Sequence, residues 1–324
     1  MPEKEFTMKR SEVNLIIRLM EHFIDQFGLN VSPTITDTTP ARWAEITGSG
    51  NLRKTHGRIA KIGIGYDVTS LGTGNYFGIK EGEYLGLALI TDINGDVNDT
   101  KDPITYAKRF MFSGYEQAAP SHYHPFKTET IGVVAGALGI KVWPAHRDDF
   151  NKVIGRDKQG VYATREFNLV INDVPVKCAP GQEFVLGPRE RITLYGKPPK
   201  GSDIDGYIYH RFWGEKKNGI TVLEENSRPN DDTTDNRFFD PKPRFDKIQP
   251  DEAPYRLLCN EVNKLFFGDQ QQSQSVRDLL EAKPVSARNL DTRLIQAGVL
   301  LTNGRIAEDC YKALQKYFVE KMEK

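Results

Sequence analysis

The 324-residue chain lacks the cysteines for a disulfide framework. Its three, Cys178, Cys259 and Cys310, are widely spaced and form no Cys-x-x-Cys pair. That pattern predicts buried or inert thiols in a reducing compartment, and argues against cysteine-held zinc or redox work. An excess of one charge is also absent: 44 Lys and Arg stand against 44 Asp and Glu. With no basic surplus to attract phosphate backbones, nucleic acid is not an expected partner. Long hydrophobic runs are missing too. The longest, residues 131–140, is about half a membrane span and rich in glycine. The start, Met-Pro-Glu-Lys-Glu-Phe, lacks the net basic start and the apolar core of a signal peptide. A cytoplasmic protein with no membrane partner is expected.

What is present begins with an amphipathic helix from Ser11. Val13, Ile16, Ile17, Met20, Ile24 and Phe27 recur at helical spacing, and Gly28 stops it. Residues 29–80, rich in Thr, Gly and Pro, suit irregular structure with short strands. From residue 83 short apolar segments follow one another: 84–90, 104–112, 131–143 (one strand or two), 167–171, 174–178, 182–186, 192–195, 207–213 and 221–225. Asn172-Asp173 reads as a tight hairpin turn. Short strands uninterrupted by helices indicate an antiparallel barrel or sandwich. Residues 144–165 and 197–205 read as inserted surface loops. Residues 226–256 are polar and proline-rich, too long for an idle loop. They are expected to lie over the sheets, anchored by Phe238, Phe239 and Phe245. After a Gln/Ser-rich linker, helical patterns at 276–282, 291–301 and 305–322 predict a C-terminal appendage. The expected division is 1–264 for the β domain with its N-terminal helix and 265–324 for the helical extension.

Residues 122–136 carry the most chemistry. His122 and His124 are two apart, so on extended backbone both imidazoles share a face. Glu129 follows after a turn that Pro125 favours. Among the later strands His210 is the single histidine, and alternation puts Ile208, His210 and Phe212 on one face. Three imidazoles and a carboxylate suit manganese, iron, nickel or cobalt; zinc is also possible, though it tends to keep fewer protein ligands plus water. The other histidines, His22, His56 and His146, read as ordinary surface or hydrogen-bonded residues.

Gly114, His122, His124, Glu129 and Gly136 resemble the first motif of the cupin superfamily, which implies a jelly-roll-type antiparallel β-barrel. The second motif is distorted, with Pro180-Gly181 well upstream of His210. Further segments resemble the D-lyxose isomerase family over residues 8–262: Met8-Lys9-Arg10-Ser11, Gly65-Tyr66-Asp67-Val68-Thr69, Lys127-x-Glu129, His210-x-Phe-Trp213, Asn230-Asp231-Asp232, Asp235-Asn236 and Leu258-Cys259-Asn260-Glu261. The resemblance implies a manganese-dependent aldose–ketose isomerase acting on D-lyxose, with D-mannose as a further substrate. It implies Lys127 as a proton donor or positive charge beside the substrate oxygens. Glu225 is the first choice for the base, and Asp231 the second. It implies sugar contacts by Arg109, Gln117 and Arg244. Arg109 stands where the family pattern has lysine, and a guanidinium is better suited to hold a hydroxyl than to shuttle a proton. Trp213 and Tyr123 are further candidates because sugar pockets use aromatic faces.

A small sugar is thus the expected partner, and a homodimer the expected assembly. Two other readings fit the same ligands: an iron oxygenase and a non-catalytic sugar-binding cupin. Lys127 and Glu225 argue against the first, and the complete ligand set against the second.

Overall fold

The computed structural model describes residues 7–70, 86–151, 154–155, 157–198, 200–215, 217, 219–229, 235–241 and 247–268. The expected C-terminal helices therefore lie outside the described residues.

The chain begins with β1 (Thr7–Lys9) and α1 (Arg10–Phe27). The backbone N–H of Lys9 donates to Glu12 at 2.9 Å, which closes the first turn, and Gly28 ends the helix in the left-handed region at φ 59°. Residues 29–64 depart from the irregular structure expected, because they form α2 (Pro33–Thr36), α3 (Pro40–Gly48) and α4 (Gly50–Lys61). Thr39 and Ser49 cap the last two by accepting the N–H of Arg42 and of Leu52.

The strands follow: β2 (Gly65–Ser70), β3 (Gly86–Ile93), β4 (Ala107–Ser113), β5 (Ala118–Tyr123), β6 (Glu129–Ala135) and β7 (Leu138–Pro144). A short helix, α5 (Arg147–Phe150), precedes β8 (Phe167–Ile171), β9 (Val174–Cys178), β10 (Gln182–Leu186) and β11 (Arg191–Leu194). Last come β12 (Ile208–Gly214), β13 (Thr221–Ser227), β14 (Arg237–Phe238), β15 (Lys247–Gln249) and α6 (Cys259–Phe267). Asn172 and Asp173 both have positive φ, 50° and 64°, as the tight hairpin between β8 and β9 requires. Gly136, at φ 82°, divides the 131–143 run into two strands. A Cβ there would stand 2.4 Å from the Ile220 carbonyl oxygen, which is why the position is glycine.

The fold is mainly β and antiparallel. Among the described residues there are two main sheets and a small one: one has five strands in the order β10-β7-β12-β5-β14, another has eight in the order β2-β3-β4-β13-β6-β11-β8-β9, and β1 pairs with β15 in a two-stranded parallel sheet. Strand alternation sorts the residues between layers. Leu89, Met111, Ile131 and Leu223 of the larger sheet meet Ile140, Val142, Ile208 and Phe212 of the smaller one. The opposite face of the larger sheet presents Ala88, Ile90, Phe110, Phe112 and Val222 to Val13, Ile16, Ile17, Met20 and Phe23 of α1. Each such large apolar side chain, fully buried, contributes roughly 1.5–3 kcal/mol. The layers are thus helix, eight-stranded sheet and five-stranded sheet. Among the described residues, no helix is long and apolar enough to cross a membrane.

The segment at 144–165 is more than a surface loop. It carries the buried Asp149, and its Phe150 and Tyr162 pack with Tyr123, Tyr209 and Phe239. Its charged sequence masked these few inward-facing groups. Phe238 and Phe239 do anchor the proline-rich segment, as expected; Phe245 lies outside the described residues.

Candidate active site

Inward-facing positions of both sheets converge on one cavity of about 470 Å³. β5 and the residue after it supply His122 and His124, β12 supplies His210, and β6 begins with Glu129. His210 sits opposite His122 in the antiparallel pairing of β12 with β5. The ligand-capable atoms of the three histidines lie within 4.8 Å of one another. Glu129 completes the group: its Oε1 is 3.1 Å from His210 Nε2 and its Oε2 is 3.5 Å from His124 Nε2.

The rings are held by their far nitrogens. His122 Nδ1 lies 2.7 Å from the Pro120 carbonyl, His124 Nδ1 3.0 Å from that of Asp235, and His210 Nδ1 3.1 Å from that of Ile208. A carbonyl only accepts, so each Nδ1 carries the proton and each Nε2 turns a lone pair inward. His210 Nε2 and Glu129 Oε1 then face each other as two buried acceptors, and neither has a hydrogen-bond partner. A cation between them removes that conflict, so the residues fit a divalent metal.

The electrostatics favour the same state. Burial, with His210 alongside, lowers His122 to about 3. Burial, with Lys127 close by, holds His124 well below the ordinary histidine range. Burial alone would raise Glu129, but the Lys127 ammonium and the neighbouring His124 and His210 bring it well below the usual carboxylate range. At neutral pH the site therefore presents unprotonated imidazole and a carboxylate.

A second group continues the wall. Lys127 Nζ is 2.6 Å from Glu129 Oε2 and 3.0 Å from Glu225 Oε1, and Arg109 donates to that same Glu225 oxygen at 2.6 Å. Arg109 also reaches Ser227 Oγ at 3.3 Å. Arg109 of β4 and Glu225 of β13 are direct cross-strand partners, which explains their contact. All four charged side chains are nearly inaccessible to solvent outside the cavity they line.

Other expected contacts stand apart. Gln117 is fully buried, accepting the Gly114 N–H at 3.1 Å and donating to the Gly86 carbonyl at 3.0 Å, outside the cavity lining. Trp213 lies on the face of β12 opposite His210, covers Gly139 and donates its Nε1–H to Glu215. Tyr123 points away from the cavity into the cluster with Tyr207 and Tyr209. Asp231 and Arg244 lie outside the described residues. Three neighbours went unassigned from sequence. Asp67 lines the cavity, Phe238 packs 5.5 Å from the His122 ring, and the Asp235 carboxylate accepts the N–H of Phe126 at 2.8 Å and of Lys127 at 3.0 Å. The motifs containing Asp67 and Asp235 were visible, but spacing alone assigns them no role.

Comparison with known proteins adds an independent line. Residues 8–262 match the family model for D-lyxose isomerase. The D-lyxose/D-mannose isomerase of Serratia proteamaculans is 30% identical over 254 residues, covering 78% of this chain and 97% of that protein. Its counterpart from Escherichia coli O157:H7 is 29% identical over 258 residues, covering 79% and 99%. Among solved structures, Cellulomonas parahominis L-ribose isomerase with L-ribose aligns at a TM-score of 0.42 and 13% identity, covering 76% of this chain and 99% of that one.

Proposed function

The chain belongs to the D-lyxose isomerase family and is an aldose–ketose sugar isomerase, and we propose that it interconverts D-lyxose, with D-mannose as a second substrate, and the corresponding ketoses. The observation that carries this reading is the unbroken run of polar contacts along one cavity wall, from the His210 imidazole through the charged Glu129, Lys127 and Glu225 to Arg109.

His122, His124, Glu129 and His210 would hold a divalent ion, for which manganese is our assignment. When bound, such an ion supplies the positive charge that a developing enediolate needs, since Arg109, Lys127, Glu129 and Glu225 sum to zero. The protein's own groups do the rest. Glu225 removes the proton from the carbon beside the carbonyl and returns it to the neighbouring carbon. Lys127, hydrogen-bonded to Glu225, orients that carboxylate and donates toward the substrate oxygens. Arg109 shares the same Glu225 oxygen, which leaves the other oxygen as the basic one. Asp231 is the second choice for the base, should Glu225 serve only to bind.

Family membership and the acid–base pair favour isomerisation over an iron oxygenase, which needs no such pair. The cysteine pattern supports a cytoplasmic location. We include a homodimer in the proposal, to be measured by sedimentation. The test of function is incubation of metal-stripped protein with D-lyxose or D-mannose, with and without Mn²⁺. Ketose should form only with the metal. Failure to form ketose from any of a panel of pentoses and hexoses would contradict the proposal.

A further inference from the structure

Asp149 is a carboxylate in the segment between β7 and β8, on the far side of β12 from the cavity. It is buried to 3% exposure and fully engaged. Its Oδ1 accepts Arg237 Nε at 2.9 Å, and the paired side chains are 0% and 4% exposed. Its Oδ2 accepts the Tyr209 hydroxyl at 2.6 Å and the Val161 N–H at 2.9 Å. The same segment grips the next residues. Arg237 donates to the Lys158 carbonyl at 3.1 Å, and the Gly160 N–H donates to the Phe239 carbonyl at 2.6 Å. Tyr162 stacks on Phe239 with centroids 4.0 Å apart.

What this holds in place is β14, the edge strand beside β5. Arg237 pairs with Tyr123, and Phe238 pairs with His122. Phe238 lies against the His122 ring and lines the cavity. Two residues before Arg237, the Asp235 carbonyl accepts His124 Nδ1–H, and its carboxylate accepts the N–H of Phe126 and of Lys127. Residues 235–238 therefore touch two imidazoles and the backbone that carries the lysine. A buried guanidinium stays put only while its counter-charge is present. Displacement of a supporting element by about 1 Å can cost an enzyme roughly 100-fold.

We infer that Asp149 is a positioning residue for the isomerase site: through Arg237 it fixes residues 235–238, and through them His122, His124 and Lys127. The inference rests on the function proposed above. It assigns the 144–165 segment a part in catalysis although none of its described residues lines the cavity.

The test compares Asp149→Asn with a double variant, Asp149→Leu with Arg237→Met, which replaces the buried pair by apolar groups. Such replacements are often neutral for stability. Three quantities are read for each: melting temperature, Mn²⁺ affinity by titration, and kcat and KM on D-lyxose. The double variant should melt within a few degrees of the unsubstituted protein, yet bind Mn²⁺ about tenfold more weakly and turn over about tenfold more slowly. Should both variants fail to fold, Tyr209→Phe removes one hydrogen bond and no charge, and about a threefold loss of Mn²⁺ affinity is expected. A folded variant with Mn²⁺ affinity, kcat and KM all unchanged would overturn the inference alone, whatever its melting point. Absence of Mn²⁺ uptake and turnover in the unsubstituted protein would overturn the functional reading and this inference with it.

Discussion

The proposed mechanism gives Glu225 and Lys127 different jobs at one hydrogen bond, and substitution should separate them. Glu225→Gln keeps the shape and removes the basic oxygen. Turnover of D-lyxose should fall by about 10²–10⁴, while Mn²⁺ uptake stays near that of the unsubstituted protein. His124→Ala should do the reverse first, losing stoichiometric metal as measured by elemental analysis. These roles were unequally legible in the sequence. Period two placed His122, His124 and the inward face of β12 correctly, because alternation is local. It could not bring Arg109 to Glu225, since β4 and β13 are 116 residues apart at that contact; only the resemblance suggested them. Trp213 is instructive in the opposite sense. Alternation from His210 already put it on the outer face, where it covers Gly139.

At the scale of elements, the expected α1, the hairpin at Asn172-Asp173 and most strands follow from periodicity and turn residues. The helices of residues 33–61 did not, because their apolar faces are thin: α4 buries only Ala60. Their caps, Thr39 and Ser49, were the legible signal. Two motifs near the ends of the family match also find their reason. Arg10, at the start of α1, forms a buried two-pronged ion pair with Glu261 of α6, whose carboxylate also accepts the Leu258 N–H. Glu261→Gln should destabilise the fold by about 3–5 kcal/mol in denaturant titration, since it leaves a buried guanidinium without its charge. A further element-scale prediction concerns pH. Asp102 ties the loop after β3 to α4 by accepting the Ile104 N–H, Arg58 and the Asp96 N–H, which together lower it to about 2. A carboxylate lower in the folded than in the unfolded state, where Asp is about 3.9, stabilises above that value and loses the contribution as pH falls toward 2. The drop in melting temperature between pH 5 and pH 2.5 should therefore be smaller in Asp102→Asn than in the unsubstituted protein.

For the whole molecule, the cavity lies between two sheets, and the four proposed ligands come from both. A bound ion would therefore link β5 and β12 of one sheet to β6 of the other. Anything that binds the folded state alone stabilises it, by about 2.7 kcal/mol at 100 times Kd. Saturating Mn²⁺ should raise the melting temperature of metal-stripped protein by several degrees, and His124→Ala should abolish that rise. The central claim is a proton transfer between neighbouring carbons by a carboxylate open to the cavity. The measurement that meets it most directly is turnover of D-lyxose in heavy water by the Mn²⁺-loaded protein, with the ketose examined by NMR. Deuterium at the first carbon of the ketose is predicted, because the proton taken up by Glu225 faces the open cavity and exchanges with solvent before it is returned. Ketose formed at full rate with no deuterium at that carbon would contradict the account.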